Sequence, residues 1–93
     1  MVWKMKFKWE FDKGIDKKFS QLDNTIQRRI IKWLNTNIQD CVNPRIFGEP
    51  LEGDKRGLWR YRVGKYRIIA DIHDDVFTVL VVKVGKRGQV YKH

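Results

Sequence analysis

The sequence predicts one α+β domain in which a strand and two helices precede an antiparallel meander of three strands. Three observations predict this class. The 93 residues suffice for one hydrophobic core and are too few for two. Apolar side chains recur first with the period of a strand and then with that of helices, and three more strand-like runs follow. Apolar residues make up 42% and charged residues 33% of the chain, which is typical of a globular domain. We therefore expect a single domain over residues 1–93.

The N-terminal half predicts one strand and two helices. Apolar and charged side chains alternate over residues 3–10, which indicates a half-buried strand. Asp12 can cap a short helix that runs to residue 19, and Asp23 or Asn24 can cap the next helix. Helical spacing of apolar residues then predicts a second, longer helix that contains Ile26, Ile30, Trp33, Leu34 and Ile38.

The C-terminal half predicts the meander. Pro44 ends the helical region, and residues 48–57 hold three glycines, a proline and five charged residues, as loops do. Strand-like runs follow over residues 58–63, 66–73 and 76–84. The dipeptides that separate these runs, Gly64-Lys65 and Asp74-Asp75, are short enough for tight hairpin turns.

The first hairpin brings three arginines together. If Gly64 and Lys65 form a two-residue turn, with glycine at positive φ, the register places Arg62 opposite Arg67. Arg60 lies on the same face, because side chains on one face of a strand recur every second residue. Like charges that face each other destabilise a sheet by roughly 0.2–1 kcal/mol, so such a cluster indicates an anionic ligand such as a phosphodiester.

The alternative is that these arginines are ordinary charged residues on a solvated strand face and bind no ligand. In a chain with 20 basic residues, some cluster by chance. Asp71 is the only carboxylate that the register places on the face, so we expect no internal acid to neutralise the arginines. Trp59 and Tyr61 alternate with the arginines, and we assign them to the core rather than to base stacking.

Composition also indicates which classes of partner and which cellular compartment to expect. The formal net charge is +9, and residues 55–93 contribute ten basic against three acidic side chains. Such a basic surface favours nucleic acid as the first partner and acidic protein as the second. Cys41 is the only cysteine, which excludes an internal disulfide and favours a reducing cytoplasm. We expect no metal, no small-molecule cofactor and no membrane span, because neither ligand spacing nor a long apolar run occurs.

The end of the last strand carries a family resemblance. Val-Gly-Lys-Arg at residues 84–87 is followed by Tyr91, and Gly-Lys-Tyr-Arg occurs earlier at residues 64–67. These motifs and the order of elements resemble the RelE branch of the RelE/ParE toxin superfamily over nearly the whole chain. The resemblance implies a RelE-like fold and the toxin of a type II toxin–antitoxin system. Such toxins enter the ribosomal decoding site and cut messenger RNA without a metal, through attack of a 2′-hydroxyl on the adjacent phosphate.

The resemblance also implies the roles of individual residues. The implied catalytic set is Arg60, Arg62, Arg67, Arg87 and Tyr91, and the implied RNA-binding set is Lys86, Lys65, Lys55 and Arg56. Relatives often carry lysines where this chain has Arg60 and Arg62. Arginine cannot act as a base because its pKa exceeds about 12, so Tyr91 is the candidate base and nearby cations would favour its phenolate. Glu49 and Glu52 are alternative bases, whereas His73 and His93 are interpreted as surface residues.

Two other functions stay open at this point. A ParE-like relative would share the fold and poison DNA gyrase without RNA chemistry, and a noncatalytic module would bind RNA without cutting it. The partners implied by the preferred reading are a RelB-like antitoxin, the ribosome and messenger RNA.

Overall fold

A computed structural model describes residues 5–53 and 57–86 of the chain. The strands are β1 (Lys8–Phe11), β2 (Glu49–Pro50), β3 (Trp59–Val63), β4 (Tyr66–His73) and β5 (Thr78–Lys86). The helices are α1 (Ile15–Ser20) and α2 (Asn24–Asn37), with short 3₁₀ helices at Pro44–Phe47 and Asp74–Val76. The predicted α+β class is confirmed.

The strands form one five-stranded sheet in the order β1-β5-β4-β3-β2. The antiparallel pairs β3–β4 and β4–β5 are the predicted meander. β1 pairs in parallel with β5, which brings the N-terminal strand beside the last one. A bulge interrupts the β4–β5 register between Ile69 and Ala70.

Two predicted boundaries in the N-terminal half need correction. In the described part of the alternating segment only Lys8–Phe11 is a strand, and Met5, which was expected on the buried face, is 53% exposed. The first helix begins at Ile15 rather than near Asp12, because Gly14 in the left-handed region (φ 86°) turns the chain into the helix. Asp23 is the N-terminal flanking residue of α2, as predicted.

Two boundaries in the C-terminal half also differ. The predicted loop over residues 48–57 contains β2, whose two residues pair with Trp59 and Arg60. Asp74 and Asp75 form a 3₁₀ turn with Val76 instead of a two-residue hairpin turn, and Phe77 follows at φ 49°. The last strand therefore starts at Thr78 rather than at Val76.

The helices pack on one face of the sheet and enclose the core. Its buried members include Phe7, Phe19, Ile30, Leu34, Ile38, Tyr61, Ile68, Val79 and Val81. Tyr61 is fully buried, its ring centroid lies 5.2 Å from that of Trp33, and its hydroxyl donates to the Pro44 carbonyl at 2.7 Å. Both the ring and the hydroxyl of Tyr61 thus fasten the middle of β3 to neighbouring segments.

Candidate nucleic-acid interface

The β3–β4 hairpin has the register that the sequence predicts. Gly64 turns the chain at φ 60°, Arg62 pairs with Arg67, and Arg60 pairs with Ile69. The three arginines therefore share the sheet face that is turned away from the helices. Tyr61 and Val63, at the intervening positions, are buried in the core, and Trp59 packs against it, as predicted.

The expectation that no internal acid neutralises the arginines is wrong. Glu49 on β2 pairs with Arg60 across the sheet edge. Its Oε1 accepts hydrogen bonds from Nη2 of Arg60 and from Nη2 of Arg62, the latter at 3.0 Å. The prediction failed because it considered only the hairpin strands, whereas the carboxylate comes from a strand that lies in the predicted loop.

Close backbone packing fixes the position of Glu49. A Cβ on the preceding residue, Gly48, would lie 2.2 Å from the Arg60 carbonyl oxygen and 2.7 Å from Cδ1 of Tyr61. Only glycine allows the segment to approach β3 so closely. The 3₁₀ helix before it is held by the Tyr61 hydroxyl and by the Trp59 indole, which donates to the Arg45 carbonyl at 3.1 Å. Glu49 therefore enters the site from an anchored segment.

The two arginines of β3 differ in accessibility. The Arg60 side chain is 21% exposed and that of Arg62 is 62% exposed, while the Glu49 side chain that joins them is 47% exposed. A groove of about 330 Å³ opens beside them and is lined by Ile46, Phe47, Gly48, Glu49, Arg60 and Arg62. A phosphate can therefore reach the arginines from solvent.

Arg67 lies deeper than the arginines of β3. Only 8% of the residue is exposed. Its Nη1 donates to the carbonyl of Gly64 at 3.2 Å and to that of Tyr66 at 3.0 Å. The guanidinium thus braces the hairpin turn.

The structure describes only some of the other residues that the sequence predicts for the site. Lys65 is exposed in the hairpin turn, and Lys86 is exposed opposite Tyr66 at the same end of the sheet. Lys55, Arg56, Arg87 and Tyr91 lie outside the described residues, as does His93. Glu52 is exposed in the turn after β2, and His73 Nε2 lies 3.1 Å from Oδ2 of Asp71.

The opposite end of the sheet carries a separate ion pair. Arg45 makes two hydrogen bonds to Asp74, at 2.9 and 2.7 Å, and its guanidinium lies 5.8 Å from the Trp59 ring. Hydrogen bonding to Arg45 lowers the pKa of Asp74. Burial raises the pKa of Tyr61, so this tyrosine stays neutral at physiological pH.

Among residues 5–53 and 57–86, no three His, Cys, Asp or Glu side chains are grouped so that they could hold a metal ion. In the same part of the chain, no helix combines the length and the apolar character needed to cross a membrane.

Comparison with protein families gives a match over residues 4–91, to the ParE toxin of type II toxin–antitoxin systems. The chain belongs to this toxin family. No curated protein matches the chain.

Several solved structures of RelE toxins and of their complexes with antitoxins have a similar fold. The RelBE2 toxin–antitoxin complex of Mycobacterium tuberculosis aligns with a TM-score of 0.76 at 22% identity, over 88% of this toxin and 92% of that chain. A double mutant of Escherichia coli toxin RelE in the free state aligns with a TM-score of 0.72 at 25% identity, over 94% of this toxin and 92% of that chain. The RelE–RelB complex of Pyrococcus horikoshii aligns with a TM-score of 0.68 at 24% identity, over 91% of this toxin and 99% of that chain.

Together the family match and the fold confirm a RelE-type toxin of the RelE/ParE superfamily, as the sequence motifs predict. The family match carries the name of ParE and the similar structures carry that of RelE.

Proposed function

We propose that this toxin is an endoribonuclease that cuts messenger RNA at the ribosomal decoding site and so inhibits translation. The observation that carries the proposal is the arginine face of the β3–β4 hairpin, with Arg60 and Arg62 beside a solvent-accessible groove. Arginine presents paired donors that match phosphate oxygens. The fold shared with RelE toxins supports the same activity.

In the proposed reaction, the 2′-oxygen of one nucleotide forms a bond to the adjacent phosphorus and the bond from phosphorus to the 5′-oxygen breaks. The departing 5′-oxygen takes up a proton from water, so the products are a 2′,3′-cyclic phosphate and a 5′-hydroxyl. Arg60 and Arg62 bind the phosphate and stabilise the negative charge that grows on it. The resemblance also implies that Arg67 binds the phosphate, but Arg67 is buried and donates to two carbonyls of the turn, so we assign it to holding the hairpin in shape behind Arg60 and Arg62.

The proton of the 2′-hydroxyl needs an acceptor other than an arginine. Tyr91 is the proposed base, and Glu49 is the alternative because its carboxylate contacts both phosphate-binding arginines. We expect Tyr91→Phe to slow single-turnover cleavage on ribosomes by about 10²–10⁴ if Tyr91 takes the proton. An undiminished rate in Tyr91→Phe, together with such a loss in Glu49→Gln, would transfer the role to Glu49.

The proposed partners follow from the same surface. The RelE proteins of Pyrococcus horikoshii and Escherichia coli are solved in complex with RelB. We infer a RelB-like antitoxin for this toxin, with an acidic or amphipathic segment whose charges meet the arginine face. The ribosome and messenger RNA, both cytoplasmic, are the proposed targets, and the cytoplasm is the proposed compartment.

Primer extension on a message in a purified translation system tests the proposal. We expect cuts within codons at the decoding site, only when ribosomes are present. Arg62→Ala and Arg87→Ala should abolish most of them. The matched control is Arg28→Ala, which removes an exposed arginine from α2. Absence of cuts with folded wild-type toxin, or equal loss in all three variants, would refute the proposal.

The family match to ParE favours gyrase poisoning as the second candidate. That function predicts loss of DNA supercoiling in a gyrase assay while the message stays intact. A noncatalytic RNA-binding module would instead retain salt-dependent RNA affinity in the absence of cleavage products.

A further inference from the structure

The Glu49 carboxylate lies where an RNA phosphate would bind. A single oxygen, Oε1, accepts from Arg60 and from Arg62, which are the two described arginines that border the open groove. Carboxylates and phosphates both bind guanidinium groups through paired oxygens, so they compete for the same donors. An incoming phosphate must share or displace this contact.

The backbone holds this competitor at the site. Glu49 is in register with Arg60 in the β2–β3 ladder, and Gly48 packs directly against the Arg60 carbonyl. The carboxylate therefore stays beside the two guanidinium groups whatever other anions are present. The contact is nevertheless half exposed, since the side chains of Glu49 and Arg62 are 47% and 62% accessible. A phosphate can displace it without opening the core.

We propose that Glu49 is a specificity-determining residue that lowers the affinity of this toxin for free RNA, so that only RNA held in place by other contacts reaches the arginines. The inference rests on the proposed function, in which the ribosome supplies those other contacts. The carboxylate cancels one of the two positive charges that the described residues place at the groove. Free RNA that binds the toxin away from the ribosome is therefore attracted by about one cation fewer than it would be without the Glu49 charge.

The size of the effect follows from counterion release. Each phosphate neutralised on a single strand contributes about 0.7 to the slope of log K against log salt. Removing the Glu49 charge makes one more cation available, so the slope steepens by about 0.7. At 0.1 M salt this corresponds to about fivefold tighter binding of single-stranded RNA.

The test measures binding of a short RNA whose 2′-hydroxyls are methylated, so that cleavage cannot occur. Fluorescence anisotropy gives the dissociation constant of wild type and Glu49→Gln at salt concentrations between about 50 and 200 mM. The matched control is Glu10→Gln, which makes the same chemical change on β1, at the opposite edge of the sheet. We expect tighter binding and a steeper slope for Glu49→Gln alone.

Weaker binding, or the same change in both variants, would overturn the inference. If Glu49→Gln does not fold, Glu49→Asp keeps the charge but withdraws it by one methylene, and an intermediate gain in affinity is expected. No gain in Glu49→Asp would likewise overturn the inference. Because this RNA cannot be cut, the result is independent of whether wild-type toxin cleaves messages on ribosomes, which decides the proposed function separately.

Discussion

Substitution of Gly48 by alanine tests whether close packing of the edge segment supports the arginine face. The new Cβ would lie 2.2 Å from the backbone oxygen of Arg60, whereas ordinary contact begins at 3.4 Å. The two backbones would have to separate by about 1.2 Å. This is costly because the atom in the way belongs to the backbone of Arg60 and not to a flexible side chain that could rotate aside. Overpacking of this kind destabilises proteins by about 1–3 kcal/mol, and contact with backbone favours the upper half of that range.

We therefore expect Gly48→Ala to lower the free energy of unfolding by about 2–3 kcal/mol and Tm by about 10–20 °C. Urea unfolding followed by tryptophan fluorescence, with thermal unfolding by circular dichroism, measures both. Gly53→Ala is the comparison, because its Cβ meets nothing within 4 Å and its φ of 76° alone should destabilise by about 1 kcal/mol. Equal losses in the two variants would refute the steric reasoning.

Two further predictions concern the supports of the same segment. Tyr61→Phe removes the hydroxyl that donates to the Pro44 carbonyl at 2.7 Å and should lower the free energy of unfolding by about 1–2 kcal/mol, because a buried acceptor loses its donor; unchanged stability in urea would contradict this. Asp74→Asn removes the ion pair with Arg45, which should contribute no more than about 1 kcal/mol because it is exposed. Since Arg45 holds the pKa of Asp74 below its unfolded value of about 3.9, the contribution is present above that pH and is lost as pH falls through the folded-state pKa. Urea midpoints of wild type and variant should thus converge below about pH 4, and a constant difference down to pH 2 would contradict the assignment.

The sequence predicted the hairpin well because its signals are local. A two-residue turn with Gly64 at positive φ fixes which residues of β3 and β4 face each other, and the pattern of apolar residues fixes which face is buried. The arginine face follows from these two facts alone.

The sequence could not predict β2 or the contact that Glu49 makes. β2 has two residues, one of them a proline, in a stretch rich in glycine and charge, so neither length nor periodicity marks it as a strand. β2 forms because the Tyr61 hydroxyl anchors the preceding segment at Pro44 and because Gly48, which has no Cβ, allows that segment to lie close to β3. The parallel pairing of β1 with β5 likewise depends on the packing of residues far apart in sequence.

These contacts link the stability of the core to the geometry of the arginine face. Tyr61 lies between Arg60 and Arg62 in the chain and is fully buried, so the spacing of the two guanidinium stems is set by core packing rather than by a loop. A site on a strand fixed in this way is organised before RNA arrives, so binding need not spend free energy on ordering the backbone. The arginine side chains remain adjustable, and both donate hydrogen bonds to Glu49. Glu49→Gln should therefore alter RNA binding in the fully folded protein, without the loss of stability that is expected of a core variant such as Tyr61→Phe.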